Sequence, residues 1–224
     1  MSKPLRLLGI FAPLAIAAVL FGIGAMQLGR YPALIKASAT SGTSGPEASI
    51  TLQAVPAIGS GAHPDWVSYL VQGPDGKFVH TTMIQLPAHA LVHVTILQYD
   101  SGSDLRNSFM LQPQGVVGGA MNVNGKSVPV LDPKLGDVGH TFTIPQLGVS
   151  VPLTGVPDDA KNPCPNAPCT TNYDHNTVTF DFRTGAPGEF HWQCFVPCGT
   201  DFLYGNGGPM STVGFMGGFV KVVA

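Results

Sequence analysis

The chain has 224 residues, a net charge of -2, 11% charged residues and 44% hydrophobic residues. No basic patch or stripe is visible that could neutralise a phosphate backbone, so nucleic acid is set aside as a partner. The 28 glycines and 20 prolines suit a turn-rich β architecture better than a helical one.

From Leu7 to Met26 the chain reads LLGIFAPLAIAAVLFGIGAM, without a charge. At ~1.5 Å per residue, about 20 such residues span the ~30 Å hydrocarbon core. Residues 1–36 therefore read as an N-terminal membrane anchor, one transmembrane helix. Lys3 and Arg6 precede the run and Arg30 and Lys36 follow it, which leaves the charge asymmetry weak. The alternative is a cleaved signal peptide, because Ala37-Ser38-Ala39 has the small-x-small form; the apolar run is longer than the ~7–15 residues usual there. Both readings place the bulk of the chain outside the cytoplasm, in the first case single-pass in the cell membrane.

Residues 37–48, rich in Ser, Thr and Gly, read as a flexible linker. Residues 49–224 then read as one extracytoplasmic domain. Candidate strands are Ile50–Val55, Trp66–Val71, Lys77–Ile84 and Leu91–Gln98, with a turn at Gly73-Pro74-Asp75-Gly76. Met121–Val123 and Ser127–Leu131 flank Asn124-Gly125, a strong signal for a two-residue hairpin. Gly139–Ile144, Thr177–Phe182, Phe190–Cys194 and Phe219–Val223 complete the set. Nine or ten short strands at this spacing predict an all-β antiparallel sandwich or barrel.

The four cysteines fall in the last third of the chain. An exported domain permits disulfides. Cys164 and Cys169 stand in the proline-rich loop Asn162-Pro163-Cys164-Pro165-Asn166-Ala167-Pro168-Cys169 and are expected to bridge. No histidine lies within that loop to suggest a metal site instead.

The last segment carries most of the chemistry. Pro187-Gly188-Glu189-Phe190-His191-Trp192-Gln193-Cys194 is a turn feeding a strand that ends on a cysteine. Cys198-Gly199 follows, and Met216-Gly217-Gly218-Phe219-Val220 opens the final strand. Earlier in the chain, His140 heads Gly139-His140-Thr141-Phe142-Thr143-Ile144-Pro145. Together these segments resemble the copper-site segments of the cupredoxin family, as in blue copper proteins and the copper domain of cytochrome oxidase subunit II. The resemblance covers roughly His80 to Ala224, residues 49–79 reading as an added strand or two.

The resemblance implies a Greek-key β-sandwich with copper as cofactor. It assigns His140 as the first imidazole ligand, Cys194 as the thiolate, Met216 as the axial thioether (Met210 being the alternative) and Cys198 as a second thiolate. A blue copper site takes two imidazoles and one thiolate near a trigonal plane, with a weak axial ligand. Here the second histidine is missing. The places where the family would carry it hold Phe202 or Ser211, and Gly205 stands where the two-copper site has its methionine. His191 alternates away from Cys194 along the strand. His80, His89, His93 and His175, on strands or strand ends, read as surface histidines, though any one could come near in the fold; His63, in a loop, is uninformative.

The function implied is copper-dependent one-electron transfer with a redox partner or a membrane respiratory complex, not an enzymatic activity. The chain has no Gly-x-Ser-x-Gly, phosphate loop, His-Glu-x-x-His or Cys-x-x-Cys motif, and the carboxylate pair Asp158-Asp159 reads as solvated. Two alternatives remain open at this level. A Cys194–Cys198 disulfide would leave a copper-free accessory subunit, and the soft donors Cys194, Cys198, Met210 and Met216 would suit storage or delivery of Cu(I).

Overall fold

A computed structural model describes residues 13, 16–20, 32–42, 45–103, 105, 107–132, 138–198 and 207–224. It divides into two units, residues 1–31 and Pro32–Ala224. In the first unit, residues 13 and 16–20 are α-helical. Most of the apolar Leu7–Met26 run lies outside the described residues, and no helix among the described residues is long and apolar enough to cross a membrane.

The second unit is built from strands whose sequence alternation sets which face is buried. Leu91–Gln98 shows the rule: Val92, Val94, Ile96 and Gln98 are buried, while Leu91, His93, Thr95 and Leu97 are half-exposed. Numbered in chain order, the described strands are β1 (Leu34–Lys36), β2 (Ser38–Gly42), β3 (Gly45–Val55), β4 (Ser68–Gln72), β5 (Phe78–Val79), β6 (Met83–Pro87), β7 (Leu91–Gln98), β8 (Met121–Val123), β9 (Lys126–Val128), β10 (Val138–Ile144), β11 (Val149–Thr154), β12 (Asn176–Arg183), β13 (Gly188–Gln193) and β14 (Gly217–Val223). One sheet has the order β1-β6-β14-β13-β10-β11. The other has the order β5-β4-β3-β7-β12-β8-β9, with β2 paired to β3.

The sheets enclose one main core. Ile84, Leu86, Phe142, Trp192 and Val220 come from the first sheet, and Leu52, Val94, Ile96, Val178 and Phe182 from the second. Phe142 joins the layers, its ring centroid 5.0 Å from Trp192 and 5.7 Å from Phe180. Burying such side chains contributes roughly 1.5–3 kcal/mol each. Chain connections pass back and forth between the sheets: β5 to β6, β6 to β7, β9 to β10, β11 to β12 and β12 to β13.

Three expectations are corrected. Residues 37–48 are not a flexible linker; β2 and the start of β3 form a hairpin, with Ser38 opposite Ser49 and Gly42 opposite Gly45. Backbone pairing carries that segment, since β3 continues its parallel ladder on β7 from Glu47 opposite Leu91. The anchor boundary at residue 36 is also too late, because β1 pairs with β6. Finally, the sheets are mixed rather than antiparallel throughout: β1–β6, β14–β6 and β3–β7 are parallel. The Asn124-Gly125 turn has positive φ at both central residues, 50° and 85°, as a primed hairpin requires.

Candidate metal centre

The order β14-β13-β10 decides the site. β13 is antiparallel to both neighbours; its last residue, Gln193, stands opposite Gly217 at the start of β14 and opposite Thr143 near the end of β10, and the segment that follows it carries Cys194 and Cys198 toward His140. The strands of His140 and Met216 thus run the same way on either side of β13, rather than pairing with each other. Cys194 follows directly after β13, and its N–H donates to the Met216 carbonyl at 2.8 Å.

His140 is buried and sits just past an irregularity in the β10–β11 register between Val138 and His140. Gly139 lies there for a steric reason. A Cβ on it would collide with the Gln98 side chain and the Ser101 carbonyl. The missing side chain lets the segment after β7 press against β10, which brings Asp100 to His140.

Three donor atoms converge in the buried pocket. His140 Nδ1 lies 3.0 Å from Cys198 Sγ and 3.7 Å from Cys194 Sγ. The two sulfurs are 3.2 Å apart, and both residues are free thiols rather than a bridge. The three residues form a group able to hold a metal ion. A triangle with these sides has its centre about 1.9 Å from each corner, close to the roughly 2.0–2.3 Å typical of imidazole and thiolate bonds, so the three donors could together hold one ion. Two sulfurs and one imidazole are soft to borderline donors, the set that suits copper or zinc.

The surroundings orient these donors. Asp100 Oδ2 lies 3.0 Å from His140 Nε2, which turns Nδ1 toward the sulfurs. The Thr141 N–H donates to Cys194 Sγ at 3.4 Å, and the Phe195 N–H donates to Thr141 Oγ1 at 2.8 Å. Tyr69, on β4, donates its hydroxyl to the Thr141 carbonyl at 3.0 Å and packs its ring 5.0 Å from Trp192. The other sheet therefore braces the loop that carries the cysteines.

Electrostatics in this pocket separate the two thiols. Burial raises the Cys194 pKa, but hydrogen bonds with Cys198 and His140, the imidazolium charge and the Thr141 N–H together hold it well below the ordinary thiol value. Cys198 is pushed strongly up, first by its hydrogen bond with Cys194 and then by burial. For His140, burial pulls the pKa down, while Asp100 and Cys194 outweigh it and raise it to about 9. In the absence of metal these shifts favour ionisation of Cys194, protonation of His140 and an un-ionised Cys198.

Met216 is buried in the same core and touches the site through its main chain, accepting from the Cys194 N–H and donating to the Pro209 carbonyl. Met210 packs half-buried against the core. Phe202 and Gly205 lie outside the described residues. Among the described residues no further histidine joins the group. His191 packs edge-on to Phe219, and His93 pairs with Asp181 at 2.9 Å. His175 lies against the Tyr173 carbonyl, and His63 and His80 meet the Phe215 ring. Cys164 and Cys169 form a disulfide in a small second core with Tyr99 and Leu70. Asp100 was not legible as a site residue: it stands 40 positions before His140, without any motif around it.

No family model and no curated protein matches the chain. Solved structures of rusticyanin are similar to it. The rusticyanin of Thiobacillus ferrooxidans has 17% identity and a TM-score of 0.34, covering 91% of this chain and 94% of that one. A structure of substituted rusticyanin has 16% identity, a TM-score of 0.35 and the same coverage.

Proposed function

We propose that this chain is a copper-binding electron carrier, held at a membrane with its β domain on the extracytoplasmic side, and not an enzyme. The single observation that carries the reading is the convergence of His140 Nδ1, Cys194 Sγ and Cys198 Sγ in one buried pocket. His140, Cys194 and Cys198 would hold the ion, and the Met216 thioether would be a further donor. Copper bound there would supply reversible one-electron chemistry. The protein's part is to hold the donors before the ion arrives and to keep water out.

Several features suit that task. His140 lies on β10 and Cys194 directly follows β13, both strands of the sheet that carries the core, and Cys194 and Cys198 are themselves buried in that core, which suits donors held in place. The Thr141 N–H stabilises the Cys194 thiolate. Phe195, next in the chain, is 41% exposed, so the thiolate lies one residue from a surface that a redox partner could approach. The membrane and extracytoplasmic placement is supported by the uncharged Leu7–Met26 run and by the Cys164–Cys169 disulfide. The partner would be a membrane respiratory complex or another redox protein.

A second reading, capture and delivery of Cu(I), is favoured by the pairing of two sulfurs with a single imidazole. The test is metal analysis with a visible spectrum, followed by redox cycling of the loaded protein. Stoichiometric copper with a thiolate-to-copper band that bleaches and returns over one electron supports the carrier. Copper held only as colourless Cu(I) supports delivery, and absence of copper after reconstitution removes both.

A further inference from the structure

We propose that Asp100 is the positioning residue of this centre: its carboxylate fixes the His140 ring with Nδ1 toward the two sulfurs, and its negative charge favours the more oxidised state of a bound copper. The inference rests on the metal reading of the His140–Cys194–Cys198 pocket.

The geometry points to a built contact rather than a chance meeting. Asp100 Oδ2 is 3.0 Å from His140 Nε2, and Oδ1 accepts the Ser101 N–H at 2.9 Å. The Asp100 carbonyl accepts the Val156 N–H at 2.8 Å and the Gln98 amide at 3.2 Å. Both the residue's backbone and its carboxylate are therefore held. Gly139 has no side chain to push this segment off β10. An imidazole whose Nε2–H donates a hydrogen bond to a carboxylate keeps its Nδ1 lone pair for an ion, and becomes a more basic ligand. With the ring flipped, carbon atoms would replace nitrogens at both contacts. The carboxylate's charge, one ring away from the ion, stabilises the higher positive charge of the oxidised metal.

The Asp100 side chain is 18% exposed against 2% for His140, so two substitutions of different size are compared. The experiment uses the full-length chain as wild type, Asp100→Asn and Asp100→Ala. Copper and zinc affinities are read by chelator competition, and the copper reduction potential by titration. Asp100→Ala should weaken both metals by roughly 10–100-fold. Asp100→Asn, which keeps an accepting oxygen without the charge, should retain most of the affinity and raise the potential. Zinc has no redox chemistry, so its loss reports binding without a change of oxidation state. Wild type binding neither metal overturns the metal reading and this inference with it. Wild type binding metal, with Asp100→Ala equal to it in affinity or Asp100→Asn equal in potential, overturns the role of Asp100 and leaves the metal reading standing.

Discussion

His140 and Cys198 stand 58 positions apart in the chain, yet Nδ1 of one lies 3.0 Å from Sγ of the other. Cys198 is therefore part of the same pocket as Cys194, on the far side of a short loop. That contact gives the site two sulfurs and one imidazole, and it distinguishes this pocket from one with two imidazoles and one sulfur.

Removing the thiolate should remove the spectrum. Cys194→Ser is expected to abolish any intense visible band of the copper-loaded protein, and Cys198→Ser to shift or weaken it. His191→Ala should leave the band in place, since His191 packs against Phe219 and takes no part in the cluster. Absorption spectra of the three variants at equal copper loading check this.

The metal-free protein should be most stable between roughly pH 6.5 and 8.5. Unfolded His and Cys titrate near those values. In the folded state His140 is raised to about 9 and Cys194 is lowered, so within the window the pair binds one proton in both states. Below about 6.5 the unfolded histidine takes up a second proton that the folded pair refuses until Cys194 protonates. Stability then falls by about 1.4 kcal/mol per pH unit. Above about 8.5 the unfolded Cys198 loses a proton that the folded one keeps, so stability falls again. Denaturant titrations across pH measure this. The acid limb attributable to the pair should vanish in Cys194→Ala, and an unchanged limb would count against the thiolate–imidazolium pair.

Loss of the Cys164–Cys169 bridge should cost little. Its ends are only 5 positions apart, and a loop that short contributes ~2 kcal/mol on the chain-entropy model. The double Cys→Ala variant should melt a few degrees lower and bind copper with unchanged affinity, as the bridge belongs to the smaller core. A parallel loss of copper would show the two regions to be coupled.

Positive φ at Gly125 makes Gly125→Val a test of the hairpin. A β-branched residue at φ 85° is strained by on the order of 1–3 kcal/mol. Gly125→Asn should be much milder, because asparagine tolerates that region. Melting curves of the two variants separate backbone strain from loss of glycine as such.

What the sequence made legible was local. Alternation of Val92, Val94 and Ile96 announces a strand, Asn124-Gly125 announces the β8–β9 hairpin, and Cys194 at a strand end after alternating aromatics points to the buried cluster with His140 and Cys198. The hairpin at residues 38–49 was hidden because backbone pairing alone holds it, and Ser, Thr and Gly carry no burial pattern. β11 was not read as a strand, since Pro152 breaks its run. Asp100 was hidden for a different reason: its role depends on how closely two segments approach, and spacing along the chain does not encode that distance.

Gly139 offers the sharpest test of that approach. Gly139→Ala places a methyl group against the Gln98 side chain and the Ser101 carbonyl, so the segment carrying Asp100 must move away. Overpacking of this kind costs typically 1–3 kcal/mol, and a lowered melting temperature is expected. The larger consequence falls on the site. If the Asp100–His140 contact opens, metal affinity should drop as in Asp100→Ala, although no ligand has been touched. Combining the two substitutions distinguishes this from general loosening. With both acting through one contact, the double variant should bind metal about as weakly as Asp100→Ala alone, whereas independent effects would multiply. Chelator competition on the single and double variants gives the coupling directly, and full multiplicativity would separate the role of Gly139 from that of Asp100.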